Sequence, residues 1–179
     1  MLFRSRSIQL MHALTKMGIP IATEYVGAIG IQYYNHMVSY SVIGARTCES
    51  QLHRQIGSGM SMPMGVKNSS SGDVEAAVNA CKFIAKPSVF IGIDSNNEVC
   101  TVKTKGNHST SVILRGSYKN GENYSDVKTN LEESKGMSLI VDCNHGNSGK
   151  TVEGCIACFE FIRDLLRDGT YKEIGRAHV

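Results

Sequence analysis

Residues 41–68, SVIGARTCESQLHRQIGSGMSMPMGVKN, hold two short apolar runs on either side of a helical pattern. The runs at 41–45 and 62–66 have the length of strands, and residues 50–59, SQLHRQIGSG, read as a short helix between them. A tight hairpin joins only antiparallel neighbours, so strands separated by a helix run parallel through a right-handed crossover. The stretch is therefore one β/α unit. It also sets a cation beside the end of each run, Arg46 and Lys67, and that placement calls for a reason.

The same alternation extends along the chain. Apolar runs at 19–24, 89–93, 112–114 and 139–141 are further predicted strands. Residues 73–85, DVEAAVNACKFIA, gather Val74, Ala77, Val78, Cys81, Ile84 and Ala85 on one helical face, with the Ser70 to Asp73 spacing as a capping box. Residues 151–166, TVEGCIACFEFIRDLL, do the same with Val152, Cys155, Ile156, Phe159, Ile162, Leu165 and Leu166. Shorter helices are predicted in IQYYNHMVS at 31–39 and in YSDVKTNLEESKG at 124–136, the latter closing on Gly136. Residues 94–111, DSNNEVCTVKTKGNHSTS, lack a helix and read as a hairpin excursion turning at Asn96 and Asn97. The fold class is α/β.

Composition narrows the function. The 179 residues are 41% hydrophobic and 20% charged, enough for one core. A net charge of +3, with 19 Lys and Arg interleaved among 16 acids, offers no basic stripe to a nucleic acid. No apolar run approaches the roughly 20 residues of a membrane span, and the first residues, MLFRSRSIQL, lack the apolar core of a signal peptide. A soluble, cytoplasmic chain is expected, with no membrane partner. Its six cysteines are then reduced thiols, and Cys155 and Cys158 read as small core residues; a zinc or redox module is the competing reading.

Polar groups stand where the apolar runs finish: Glu24, Arg46, Lys67, Asp94, Arg115, and the pair Asp142 and His145. In a parallel barrel the C-terminal strand ends form the active-site face, and an open doubly wound sheet places them similarly. Three cations brought together repel one another unless an anion neutralises them, so Arg46, Lys67 and Arg115 imply a phosphorylated or polycarboxylate ligand. The competing reading pairs each with a carboxylate such as Glu24, Glu49 or Asp142. Spacing alone leaves His145 open as a metal ligand, a general acid or base, or a loop histidine. His12, His36 and His53 lie in helical patterns and are read as surface or packing residues.

Four stretches in order, GARTCESQLHR (44–54), MPMGVKN (62–68), SVILRGS (111–117) and IVDCNHGNSGK (140–150), resemble the type I-alpha DAHP synthases. The resemblance runs from about residue 18 to about residue 168 and implies about six of the eight β/α units of a (β/α)8 TIM barrel. It implies a transferase of the shikimate pathway to aromatic amino acids and chorismate. That enzyme condenses phosphoenolpyruvate with D-erythrose 4-phosphate and water to give 3-deoxy-D-arabino-heptulosonate 7-phosphate and phosphate. It further implies that Arg46, Lys67 and Arg115 bind the phosphate and carboxylate of phosphoenolpyruvate and carry catalysis, with Glu24 beside them. By the same resemblance His145 is a ligand of a divalent metal cation (Mn, Fe, Co or Zn), and the full-length protein is a homo-oligomer.

The chain departs from the family pattern at EYVGAIGIQ (24–32) and GNHSTS (106–111), which bears on regulation and activity. Family segments that recognise erythrose 4-phosphate and supply the other metal ligands have no counterpart. Residues 2–5, LFRS, and 173–179, EIGRAHV, read as translated sequencing adapter. The expectation is a partial TIM-barrel catalytic domain over 6–172, with 1–5 and 173–179 adapter-derived, inactive and marginally folded as it stands. Two readings compete: a non-catalytic phosphate-binding or regulatory barrel of the same family, and 3-deoxy-octulosonate 8-phosphate synthase.

Overall fold

The computed structural model describes residues 2–134, 136–169 and 174–177, with side chains described over 6–126, 129, 130, 132–134 and 136–169. In chain order the elements are α1 (Leu2–Lys16), β1 (Ala22–Glu24), α2 (Ile31–Tyr34), a 3-10 turn (Asn35–Met37), β2 (Tyr40–Ile43), α3 (Gln51–Gly57), β3 (Met64–Lys67), α4 (Val74–Ile84), β4 (Val89–Ile93), β5 (Val99–Lys103), β6 (Thr110–Leu114), α5 (Val127–Glu133), β7 (Ser138–Asp142), α6 (Val152–Arg167) and β8 (Ile174–Ala177). Of the residues read as adapter-derived, Met1, Glu173, His178 and Val179 lie outside the described set; Leu2–Ser5 fall in α1, and Ile174–Ala177 form β8.

Six strands make one sheet in the order β1-β2-β3-β6-β7-β8, every pairing parallel. This is an α/β partial TIM barrel. The unit at 41–68 is realised as β2, α3 and β3, with Ser41, Val42 and Ile43 opposite Met64, Gly65 and Val66. Ser50 caps α3, its side chain accepting from the His53 amide.

The run at 89–93 was expected among the parallel strands. Instead, among the described residues, β4 pairs with β5 alone, antiparallel, as a separate two-stranded sheet. Its burial alternates, with Val89 and Ile91 exposed and Phe90 buried, as befits a hairpin with one face on the core. Asp94 consequently leaves the ring of strand ends. Its Oδ1 accepts the amides of Asn96 and Glu98 and closes the hairpin turn, with Asn97 at φ +64°.

The core lies between the sheet and α4. Ala77, Val78, Cys81 and Ile84 of α4 are fully buried and pack over β6 and β3, all four of whose residues are buried. The cap of α4 is Asp73, whose carboxylate accepts from Glu75 and Ala76, rather than the expected Ser70. His53 is a packing residue, stacked on Tyr25 with its ring nitrogens at Ser50 Oγ and Val26 O. No helix among the described residues is long and apolar enough to cross a membrane.

The thiols sort by depth. Cys48, Cys81, Cys143 and Cys158 are buried, while Cys100 and Cys155 are partly open. Burial pushes the Cys81 thiol up to about 12 and raises those of Cys48, Cys143 and Cys158. Iodoacetamide at neutral pH is expected to label Cys100 and Cys155 and to spare the other four until the chain unfolds, as mass spectrometry of the digested product reads out. Labelling of Cys158 as fast as Cys155 would contradict the packing of α6. Because the raised thiols stay neutral in the fold, their contribution is full below the ordinary thiol range and fades as pH rises towards 12.

Candidate active site at the strand ends

Glu24, Lys67 and Asp142 are the last residues of β1, β3 and β7, which are alternate strands of the sheet. Side chains from alternate strands share one layer of a barrel interior. The register steps from Glu24 opposite Val42, through Ile43 opposite Val66 and Lys67 opposite Ile113, to Leu114 opposite Val141, carrying the three ends to a common level. Their charges therefore meet. Lys67 Nζ lies 3.3 Å from Glu24 Oε2 and 3.3 Å from Asp142 Oδ2.

Gly44 makes the first contact possible. It follows β2, the strand between β1 and β3, and a Cβ there would collide with the Glu24 carboxylate. The small residue opens the space through which Glu24 reaches Lys67. Asp142 is almost completely buried, its side chain 1% exposed; Oδ1 accepts the Asn144 amide, and Oδ2 lies 2.9 Å from His145 Nδ1.

Arg115 directly follows β6 and is 2% exposed. No carboxylate of the described residues lies within ion-pair distance of it. Its guanidinium makes one long hydrogen bond, 3.5 Å to Gly116 O, and packs 4.8 Å from the Tyr118 ring, which Lys150 also approaches at 5.2 Å. Arg46 stands apart, exposed in the turn after β2, with no ion pair among the described residues. The structure thus sets Lys67 between Glu24 and Asp142, places His145 against Asp142 and Arg115 at the end of the neighbouring strand, and shows no contact from Arg46 to any of them among the described residues.

Three asparagines hold these ends. Asn68 Oδ1 accepts from Arg115 N at 2.8 Å and from Asn123 Nδ2, while its Nδ2 donates to Ser69 O and Gly116 O. Asn123 Oδ1 accepts the Gly116 amide. Asn147 Nδ2 donates to Leu114 O and Asp142 O, and its Oδ1 accepts from Asn123 N. Neither these residues nor Tyr118 were singled out from sequence; the only signal was the presence of Asn68 and Asn147 inside two of the quoted motifs. Asn68→Ala leaves a buried amide and carbonyl beside Arg115 without partners and is expected to cost about 3 kcal/mol of stability in urea denaturation. A loss under 1 kcal/mol would show that the network is dispensable.

Among the described residues no group of three His, Cys, Asp or Glu converges on a metal position, so the donors present fit a divalent cation only in part.

Parallel strands thus end in a buried charged layer beside a buried guanidinium that has no carboxylate within ion-pair distance among the described residues, at the end of the sheet where a barrel carries its site. The chain belongs to the DAHP synthetase I family, whose sequence profile matches residues 6–171. It is 40% identical over 171 residues to the Tyr-sensitive phospho-2-dehydro-3-deoxyheptonate aldolase of Salmonella typhimurium, covering 93% of this chain and 48% of that protein. With the tyrosine-inhibited enzyme of that name from Schizosaccharomyces pombe it shares 35% identity, over 93% of this chain and 46% of the relative. The solved structure of the phospho-2-dehydro-3-deoxyheptonate aldolase from Francisella tularensis superposes with a TM-score of 0.89 at 34% identity, over 95% of this chain and 51% of that one. The chain spans about half the length of these relatives.

Proposed function

We propose that this chain forms the phosphoenolpyruvate-binding part of a cytoplasmic, metal-dependent transferase. Its reaction condenses phosphoenolpyruvate with D-erythrose 4-phosphate and water, giving 3-deoxy-D-arabino-heptulosonate 7-phosphate and phosphate. The observation that carries the reading is Arg115, a buried guanidinium at a strand end with no carboxylate beside it among the described residues. Burying an uncompensated cation is costly, and an anionic substrate removes that cost on binding.

The roles follow from chemistry. Arg115 presents a planar fork to a phosphate or carboxylate, and Lys67 supplies a compact charge fixed between Glu24 and Asp142. The formal charges of Glu24, Lys67, Arg115 and Asp142 cancel, so Arg46 and a divalent cation supply the surplus that draws in a multiply charged anion. Holding phosphoenolpyruvate in one pose aims its enol carbon at the aldehyde; as that carbon–carbon bond forms, water adds to the carbon bearing the phosphate, and phosphate leaves. When bound, the cation polarises the aldehyde as a Lewis acid, with His145 as the donor this chain offers. Exposed apolar residues of the β4–β5 hairpin, Val89, Ile91 and Val99, support a homo-oligomer at full length.

Isothermal titration of phosphoenolpyruvate into the chain tests the reading. The expected result is saturable one-site binding displaced by inorganic phosphate; heat indistinguishable from dilution would overturn it.

A further inference from the structure

Two loops bring their cations to one aromatic ring. Tyr118, in the loop after β6, has the Arg115 guanidinium 4.8 Å from its ring centroid and the Lys150 ammonium, from the loop between β7 and α6, 5.2 Å from it. Both distances are within the roughly 6 Å at which an aromatic face attracts a cation. No carboxylate of the described residues lies within ion-pair distance of either cation. A ring quadrupole is a weaker counter-charge than a carboxylate, so it holds the two cations without neutralising them.

Local backbone geometry fixes this arrangement. Ser117 N donates to Gly121 O at 2.7 Å and Ser117 Oγ accepts the Asn120 amide, which closes the turn that carries Tyr118. A Cβ at Gly146 would collide with the Ser117 backbone, so glycine there lets the loop after β7 close on the loop after β6. Lys150 sits at φ +63°, in the left-handed region, immediately before Thr151, the N-cap of α6. A residue with a Cβ is strained in that conformation, and a cation at a helix N-terminus opposes the helix dipole. Neither feature favours the fold. Together they set an exposed ammonium at the ring that also holds the buried Arg115.

We propose that Lys150 is a second binding cation of the Arg115 anion seat, and that Tyr118 is a positioning residue whose ring holds guanidinium and ammonium together until an anion arrives. This rests on the reading of Arg115 as the seat of a phosphate or carboxylate, and it adds a source of positive charge within the chain. Without an anion the two cations repel; a phosphate or carboxylate group near both replaces that repulsion with two attractions. The formal charges of Glu24, Lys67, Arg115 and Asp142 cancel, so Lys150 leaves the site with one positive charge.

Isothermal titration of phosphoenolpyruvate and, separately, of inorganic phosphate into the metal-free chain tests the assignment. Lys150→Gln is expected to weaken both anions about 3–10-fold, with the gap narrowing as ionic strength rises from about 0.05 to about 0.5 M. Tyr118→Leu is expected to lose affinity to a similar extent, and Tyr118→Phe, which keeps the ring, to recover most of it. Urea midpoints within error of the wild type in all three variants show that the losses are not unfolding. Undiminished affinity in Lys150→Gln, or Tyr118→Phe as weak as Tyr118→Leu, overturns the proposal and leaves the phosphoenolpyruvate reading in place. Phosphate binding without phosphoenolpyruvate binding overturns that reading while the variants still test the seat on phosphate, and a wild type that binds neither anion overturns both.

Discussion

Lys67→Met is expected to lower folding stability by about 3–5 kcal/mol, the cost of leaving a buried ionic partner uncompensated. The methionine retains most of the side chain's volume, so the loss reports charge rather than a cavity. Without the ammonium, Asp142, 1% exposed, and Glu24, 38% exposed, face each other across the layer with no cation between them. A loss of that size is a large share of the 5–15 kcal/mol that holds a typical domain together. Urea denaturation measures it. The double replacement Lys67→Met with Asp142→Leu is expected to recover part of the loss, because replacing a buried pair with apolar groups is far less costly than orphaning one member. A single-variant loss below 1 kcal/mol would mean that water reaches the layer.

The second large effect concerns Arg115. Arg115→Ala is expected to weaken phosphoenolpyruvate binding at least about 10–100-fold, which corresponds to one charge-assisted hydrogen-bonding group lost. The fold is expected to tolerate the change better than Lys67→Met, because removing an arginine that has no carboxylate partner among the described residues orphans no buried carboxylate there. Titration calorimetry on the two variants separates the roles: Arg115→Ala lowers affinity with little change in the urea midpoint, and Lys67→Met lowers both. Equal affinity for wild type and Arg115→Ala would move the anion seat away from β6.

Much of the sheet was legible because its strands are short apolar runs that stop at polar residues. The run ending at Lys67 and the run ending at Asp142 needed only periodicity and the helices between them. The run VFIGI at 89–93 has the same appearance, yet it forms a hairpin with 99–103, since a continuous apolar stretch does not reveal which strand will lie beside it. Helix α1 was read only as a helical pattern around His12, without bounds, although Gly18, at φ +74°, closes it and Ile8, Met11 and Leu14 recur along it; its weak amphipathic stripe leaves Ile8 and Leu10 exposed.

In the site, the cations were visible one at a time as charges at strand ends. What sequence spacing does not carry is which of them meet, because that depends on strand order. Glu24 reaches Lys67 only because β1 and β3 flank β2 and because Gly44 leaves room. Asp142, named from sequence as one possible neutralising carboxylate, proves to hold Lys67 and His145 together. Of the three cations, Lys67 lies between two carboxylates, Arg115 is buried with no carboxylate within ion-pair distance among the described residues, and Arg46 is exposed.

The most direct test of the proposed chemistry is phosphate release by a protein that contains this chain and spans the full length of its relatives. The account predicts release that requires phosphoenolpyruvate, erythrose 4-phosphate and a divalent cation together, and that collapses in Arg115→Ala. Tight phosphoenolpyruvate binding with no release under any combination, or release unaffected by loss of Arg115, would contradict it.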